Sequence, residues 1–193
     1  MKTIYRLLPA LALLALAPVR ADDVTDNLAA AKDAYEAGQV SQAITALDSA
    51  AQFLRQKKAE LVAKLLPDAP KGWEASEPET EAAAASLLGG GVTVQRRYTR
   101  ESSSVTIKVQ SDSAILQATM SFNNPMILAA SGAKLETIQD QQVSVLFEKD
   151  ARNGSIKAVI EGRYSLEIEG EEVTADDLRV FAKAFPFDKL AKL

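Results

Sequence analysis

The chain has 193 residues, with 22 Lys+Arg against 26 Asp+Glu for a formal net charge of −4, and it contains no histidine and no cysteine. Those two absences exclude a Ser-His-Asp triad, an imidazole acid–base group near neutral pH, a thiolate nucleophile, a disulfide, an iron–sulfur cluster and a zinc site built from Cys or His. With 47% hydrophobic and 25% charged residues the composition is that of a globular chain, one domain or one domain with a helical appendage.

Residues 1–21 have the form of a secretory signal. Lys2 and Arg6 make a short positive region, Leu7 to Ala17 is apolar, and Val19-Arg20-Ala21 places small residues where a signal peptidase reads them. The apolar run is shorter than the roughly 20 residues that span a bilayer. Cleavage after Ala21 would leave 172 residues and remove Lys2, Arg6 and Arg20, so that 19 basic residues face 26 acidic ones, net −7. That charge disfavours nucleic acid and anionic lipid as partners. The expectation is an exported, periplasmic protein with no membrane anchor after cleavage.

Residues 22–66 predict an antiparallel helical hairpin, about Val24–Ala37 and Ser41–Leu65. Apolar residues recur at helical spacing in Leu28, Ala31, Ala34 and Tyr35, then in Ala43, Ile44, Leu47, Ala50, Ala51 and Leu54. Gly38 suits a left-handed helix end, Ser41 a helix cap, and Pro67 a stop. Ala34-Tyr35-Glu36-Ala37-Gly38, followed by Ala43-Ile44 and Leu47, resembles one unit of a tetratricopeptide repeat. The resemblance implies a platform for a peptide or protein partner, although such solenoids stack about three or more units. Packing of two amphipathic helices accounts for the same spacing.

Residues 67–91 predict a linker. Pro67, Pro70, Gly72 and Pro78 interrupt regular structure, four Glu residues make it acidic, and Glu79 to Leu88 has helical composition. Gly89-Gly90-Gly91 is followed by Val92-Thr93, not by the Lys and Ser/Thr of a phosphate loop.

From Val92 the hydrophobic period becomes two. Val92–Thr99 and Val105–Gln110 predict a hairpin around Glu101-Ser102-Ser103. Ala114–Met120 and Asn124–Ser131 predict helices, the second closed by Gly132. Leu135–Ile138, Val143–Glu148, Ile156–Glu161 and Tyr164–Glu169 predict strands, with turns at Asp140-Gln141, Arg152-Asn153-Gly154 and Gly162-Arg163. Thr174 caps a last helix with the apolar stripe Leu178, Phe181, Ala182 and Phe185, and Pro186 ends it. The predicted class is α+β: an N-terminal antiparallel helical hairpin, then over residues 92–193 an antiparallel sheet of about six strands flanked by helices.

Leu66-Pro67-Asp68-Ala69-Pro70-Lys71-Gly72-Trp73, with Gly89-Gly90-Gly91 and Arg96-Arg97-Tyr98, resembles the opening of a family of small exported bacterial α+β domains. The resemblance covers about residues 66–187 and implies fold and export without an activity. The layout is also similar to the PsbP-like fold, in which a Pro-x-Gly-Trp segment precedes a helix-flanked sheet.

Four groups of residues are candidate sites. Glu167, Glu169, Glu171, Glu172, Asp176 and Asp177 form an acidic run that lacks the calcium-loop pattern, and no metal or other cofactor is expected. Trp73 suits either a ligand cleft or an anchor that fixes the linker to the core. Arg96, Arg97, Arg100 and Lys108 lie on opposite faces of one hairpin and suit local pairing with the acidic linker. Met120, Phe122 and Met126 surround Asn123-Asn124-Pro125 and suit an adaptable apolar pocket or core filling. Trp73, Met120, Phe122, Met126 and Tyr35 are thus the candidate partner- or ligand-binding residues. The expected function is a non-catalytic binding or accessory module for an envelope protein or small apolar ligand. The alternative is a carboxylate-dependent hydrolase of the cell envelope, which needs two acidic side chains in one cleft.

Overall fold

The computed structural model describes residues 23–81, 91–111, 128 and 132–193. The predicted signal segment, the Ala114–Met120 helix, the Asn124–Ser131 helix except Leu128, the Met120, Phe122 and Met126 group and the Ala-rich stretch after Glu81 lie outside the described residues. The class is α+β, with a helical pair followed by an eight-stranded antiparallel sheet and C-terminal helices.

Helices α1 (Asp23–Glu36) and α2 (Val40–Ala63) form the hairpin. Gly38, at φ +74°, turns the chain, and α1 closes by hydrogen bonds from Gly38 N to Tyr35 O (3.0 Å) and Gln39 N to Ala34 O (2.8 Å). Ser41 is not the cap of α2. Ala43 N already donates to Gln39 O at 3.0 Å, so the helix restarts at once and Ser41 falls inside its first turn. Ala31, Ala43 and Ala50 are the buried residues where the helices meet. Small side chains permit close approach, and they push the larger apolar residues to the flanks.

The sheet runs β1-β3-β4-β8-β7-β6-β5, every pairing antiparallel, with β2 also on β3. Its strands are β1 (Glu74–Ala75), β2 (Glu79–Glu81), β3 (Val92–Arg100), β4 (Ser103–Ser111), β5 (Lys134–Ile138), β6 (Gln141–Glu148), β7 (Asn153–Ile160) and β8 (Tyr164–Glu171). Among the described residues there are eight strands where the sequence reading expects about six, because the supposed linker lays two short strands on the free edge of β3. Glu79, expected to open a helix, instead pairs with Gln95, whose Nε2 donates to Glu79 Oε2 at 2.8 Å. Short, charged, proline-interrupted segments are suited to a sheet edge, where half the backbone groups face solvent.

Tight turns with both central residues at positive φ join β5 to β6 (Gln139 +49°, Asp140 +61°) and β7 to β8 (Glu161 +49°, Gly162 +62°). The turn between β6 and β7 ends at Arg152, at φ +53°. Asn153-Gly154, read from sequence as part of that turn, belongs to β7: Gly154 pairs with Phe147 and Gly170. Its lack of a side chain serves packing, because a Cβ there would stand 2.6 Å from Leu146 O and 3.0 Å from Leu178 Cδ1.

One face of the sheet is the core. Val94, Tyr98, Val105, Ile107, Ile156, Ile168, Leu166 and Tyr164 are buried beneath α3 (Ala175–Ala184), α4 (Phe187–Ala191) and the C-terminal half of α2. Thr174 caps α3 in a reciprocal box with Asp177, and Leu178, Phe181 and Ala182 are buried as the period predicts. Of the predicted Asn124–Ser131 helix only Leu128 is described, and it is helical; Ala133 N donates to Leu128 O at 3.1 Å, beside Gly132 at φ +76°.

Candidate functional site

Two surfaces come into question: the polar face of the sheet and the apolar face of the helical hairpin. The polar face follows from strand alternation, since each residue between two core positions must point the other way. Antiparallel register aligns them in rows. Gln95, Lys108, Glu167, Lys157 and Ser144 form one row, and Arg97, Thr106, Glu169, Ser155 and Leu146 the next. Lys157 Nζ pairs with Glu167 across β7 and β8. Arg97 donates to Ser104 Oγ at 3.0 Å and lies 3.9 Å from Glu171. A shallow depression of about 350 Å³ lies on this face, with Leu146, Glu148, Asn153, Ser155, Glu169 and Glu171 around it.

Glu169 is the chemically distinct group there. Partial burial, then the neighbouring Glu167 carboxylate, push its carboxyl above the usual range, and Lys108 and Lys157 counter this in part. Glu136 and Asp177 shift the opposite way. Arg179 meets Glu136 with a forked pair (2.6 and 2.9 Å), which holds that carboxyl low. Burial works against Asp177, yet hydrogen bonds from Thr174 and from Arg100 (2.9 Å) hold it below its ordinary value. Among the described residues no group of three or more Asp or Glu is placed to hold a metal ion.

The four arginines and lysines of the β3–β4 hairpin divide as alternation requires. Arg96 donates to the carbonyls of Ser76 (2.7 Å) and Pro67 (3.3 Å), so it ties down the linker backbone, and among the described residues no ion pair joins it to the linker's glutamates. Arg97 and Lys108 face the polar side, and Arg100 reaches α3 through Asp177.

Trp73 takes the anchoring role. Only 7% of it is exposed, its ring meets Phe181 edge-on at 5.0 Å, and the Arg100 guanidinium lies 4.4 Å from its centroid. Tyr98 completes this cluster, 4.8 Å from Phe181, and its hydroxyl donates to Pro67 O at 2.8 Å. Burial pushes the Tyr98 hydroxyl up to about 12, with Arg96 countering, so it remains a protonated donor.

The hairpin differs in kind. Tyr35 is 71% exposed, and Ile44, Leu47 and Leu54 are 55, 50 and 52% exposed. Val40, Ile44, Leu47, Ala51, Leu54 and Leu61 recur at alternating steps of four and three residues, with Lys58 at the one remaining position. At 100° per residue Leu28 and Tyr35 of α1 fall on the same side of the hairpin. Sequence reading places Leu28, Tyr35, Ile44, Leu47 and Leu54 in one apolar pattern with Ala31, Ala43 and Ala50; the structure buries these three alanines and leaves the five larger residues exposed. Of the candidate binding residues, Tyr35 belongs to this surface, Trp73 to the core, and Met120, Phe122 and Met126 lie outside the described residues. No described helix is long and apolar enough to cross a membrane. The chain matches no protein-family model, no curated protein and no solved structure.

Proposed function

We propose that this chain is a non-catalytic binding or accessory module of the bacterial envelope, exported by the signal in residues 1–21, and that its helical hairpin holds a protein partner. The observation that carries this reading is the apolar stripe Ile44, Leu47 and Leu54, with Tyr35 and Leu28 beside it, all about half exposed or more. Large apolar side chains in a continuous row on one surface mark a place where another surface docks. The sheet domain supplies a rigid base, since α2 continues from the stripe into the core through Ala59 and Val62, and Leu66 follows just past its end. The test is a photo-crosslinking amino acid at Leu47 in the full chain, expressed in a bacterium, with the same group at Lys108 on the polar sheet face as control. Protein adducts are expected at position 47, absent at 108, and lost when Ile44→Glu is added. Equal labelling at both positions, or none, would overturn the reading.

A second reading, a carboxylate-dependent hydrolase, is favoured by one observation, the raised Glu169 carboxyl in the depression beside Glu148 and Glu171. Turnover of a glycan or ester by the purified chain, abolished by Glu169→Gln with the fold intact, would establish it.

A further inference from the structure

The apolar face of the hairpin has a geometry that selects its occupant. In the heptad set by Ile44, Leu47, Ala51 and Leu54, two charged residues take the same flanking position one heptad apart: Asp48 and Arg55. The flank on the other side of the stripe holds Ala43 and Ala50, which are already buried. Neither Asp48 nor Arg55 is in an ion pair among the described residues.

We infer that a second copy of this chain covers the stripe, its α2 crossing the first antiparallel about a two-fold axis near Ala51 and Gln52. This rests on reading the stripe as a docking surface. Antiparallel crossing brings equal flanking positions together, so Asp48 of each copy meets Arg55 of the other, twice by symmetry. The same crossing sets Ile44 opposite the second copy's Leu61, Ala51 opposite its Leu54, and Leu47 opposite its Lys58, whose ammonium lies 4.7 Å from the Tyr164 ring of its own chain and leaves its methylene stem to the interface. A parallel crossing instead sets Asp48 and Arg55 against the flank of Ala43 and Ala50 and pairs no charges. Of the two crossings, only the antiparallel one pairs the flanking charges. The product is a four-helix arrangement with the two sheet domains at opposite ends.

Sedimentation velocity or light scattering on the purified full chain tests this. The expected mass is twice that of the chain, falling to one chain in Leu54→Glu with unchanged circular dichroism. Asp48→Arg or Arg55→Asp alone should raise the dissociation constant about tenfold, and the double reversal should restore it. A monomeric wild-type chain overturns the inference. So does a dimer indifferent to Leu54→Glu, or one in which the double reversal behaves as the sum of the singles. If the chain is monomeric while Leu47 still crosslinks to a different protein, the docking surface stands and the second copy does not. If position 47 crosslinks to nothing, both fail.

Discussion

Gly154 and Gly170 stand directly opposite each other in the β7–β8 ladder, and Leu178 of α3 lies over both. A Cβ on Gly170 would come within 2.6 Å of Val173 Cγ2 and 2.7 Å of Leu178 Cδ2. Two absent side chains on neighbouring strands make the recess that receives the first buried residue of the C-terminal helix. They also set the height at which the helix rides on the sheet.

Replacing either glycine by alanine is therefore an overpacking change, expected to cost about 1–3 kcal/mol. Gly154→Ala should cost more, since the added atom also meets the backbone oxygen of Leu146, which cannot rotate away. Urea unfolding of the two variants gives the order. Combining Gly170→Ala with Leu178→Ala should lose less than the sum of the singles, because the two changes share one volume.

The capping box of α3 joins helix to sheet through Asp177, which serves Thr174 and Arg100 together. Thr174→Ala should cost about 1 kcal/mol. Both Asp177 and Glu136 titrate below their ordinary values in the folded chain. The stability they contribute is present above the unfolded carboxyl range and is lost as pH falls through the lower folded values. Urea midpoints taken downward from pH 5 should fall more steeply for the wild type than for Asp177→Asn or Glu136→Gln.

Glu169 has the opposite sign. Its folded value is raised, so the folded chain binds that proton more tightly, and stability falls as pH rises through the folded value. Glu169→Gln should leave stability unchanged or raise it at neutral pH and flatten the dependence between the ordinary glutamate value and the raised one. A loss of stability at neutral pH in this variant would show that its carboxylate makes a favourable contact.

Trp73 is the only tryptophan and reports directly on the anchored linker. Native emission should be blue-shifted and move to the red in one step with unfolding. Trp73→Ala should cost about 3–5 kcal/mol, the value for removing a packed aromatic side chain. Arg100→Ala should change Trp73 emission without exposing the ring to quenchers, since Phe181 continues to cover it.

Alternation from Val92 onward placed Val94, Tyr98, Val105, Ile107, Leu166 and Ile168 on one face in the sequence and on one core in the fold. The cap at Thr174, the helix end at Gly38 and the hairpin of β3 with β4 were legible for the same reason. Each depends on residues a few positions apart, whose spacing is written in the chain. The candidate docking surface was only half legible. The apolar residues of α1 and α2 were visible, but which of them the two helices spend on each other depends on how closely they approach.

By itself, then, the sequence determined the class, the helical hairpin, the six long strands from Val92 onward with their buried faces, the C-terminal helix, and the absence of imidazole and thiol chemistry. Tertiary structure alone decided that β8 enters between β4 and β7, so that Val105 meets Gly170 across the seam between the two strand groups. It likewise turned Asn153-Gly154 from a turn into a strand under Leu178, made the acidic linker a sheet edge, and left Ile44, Leu47 and Leu54 outside. Local spacing selects the conformation of a segment, but its neighbour is selected by shape and burial between residues far apart, and one sequence pattern is compatible with several such neighbours until the core is closed.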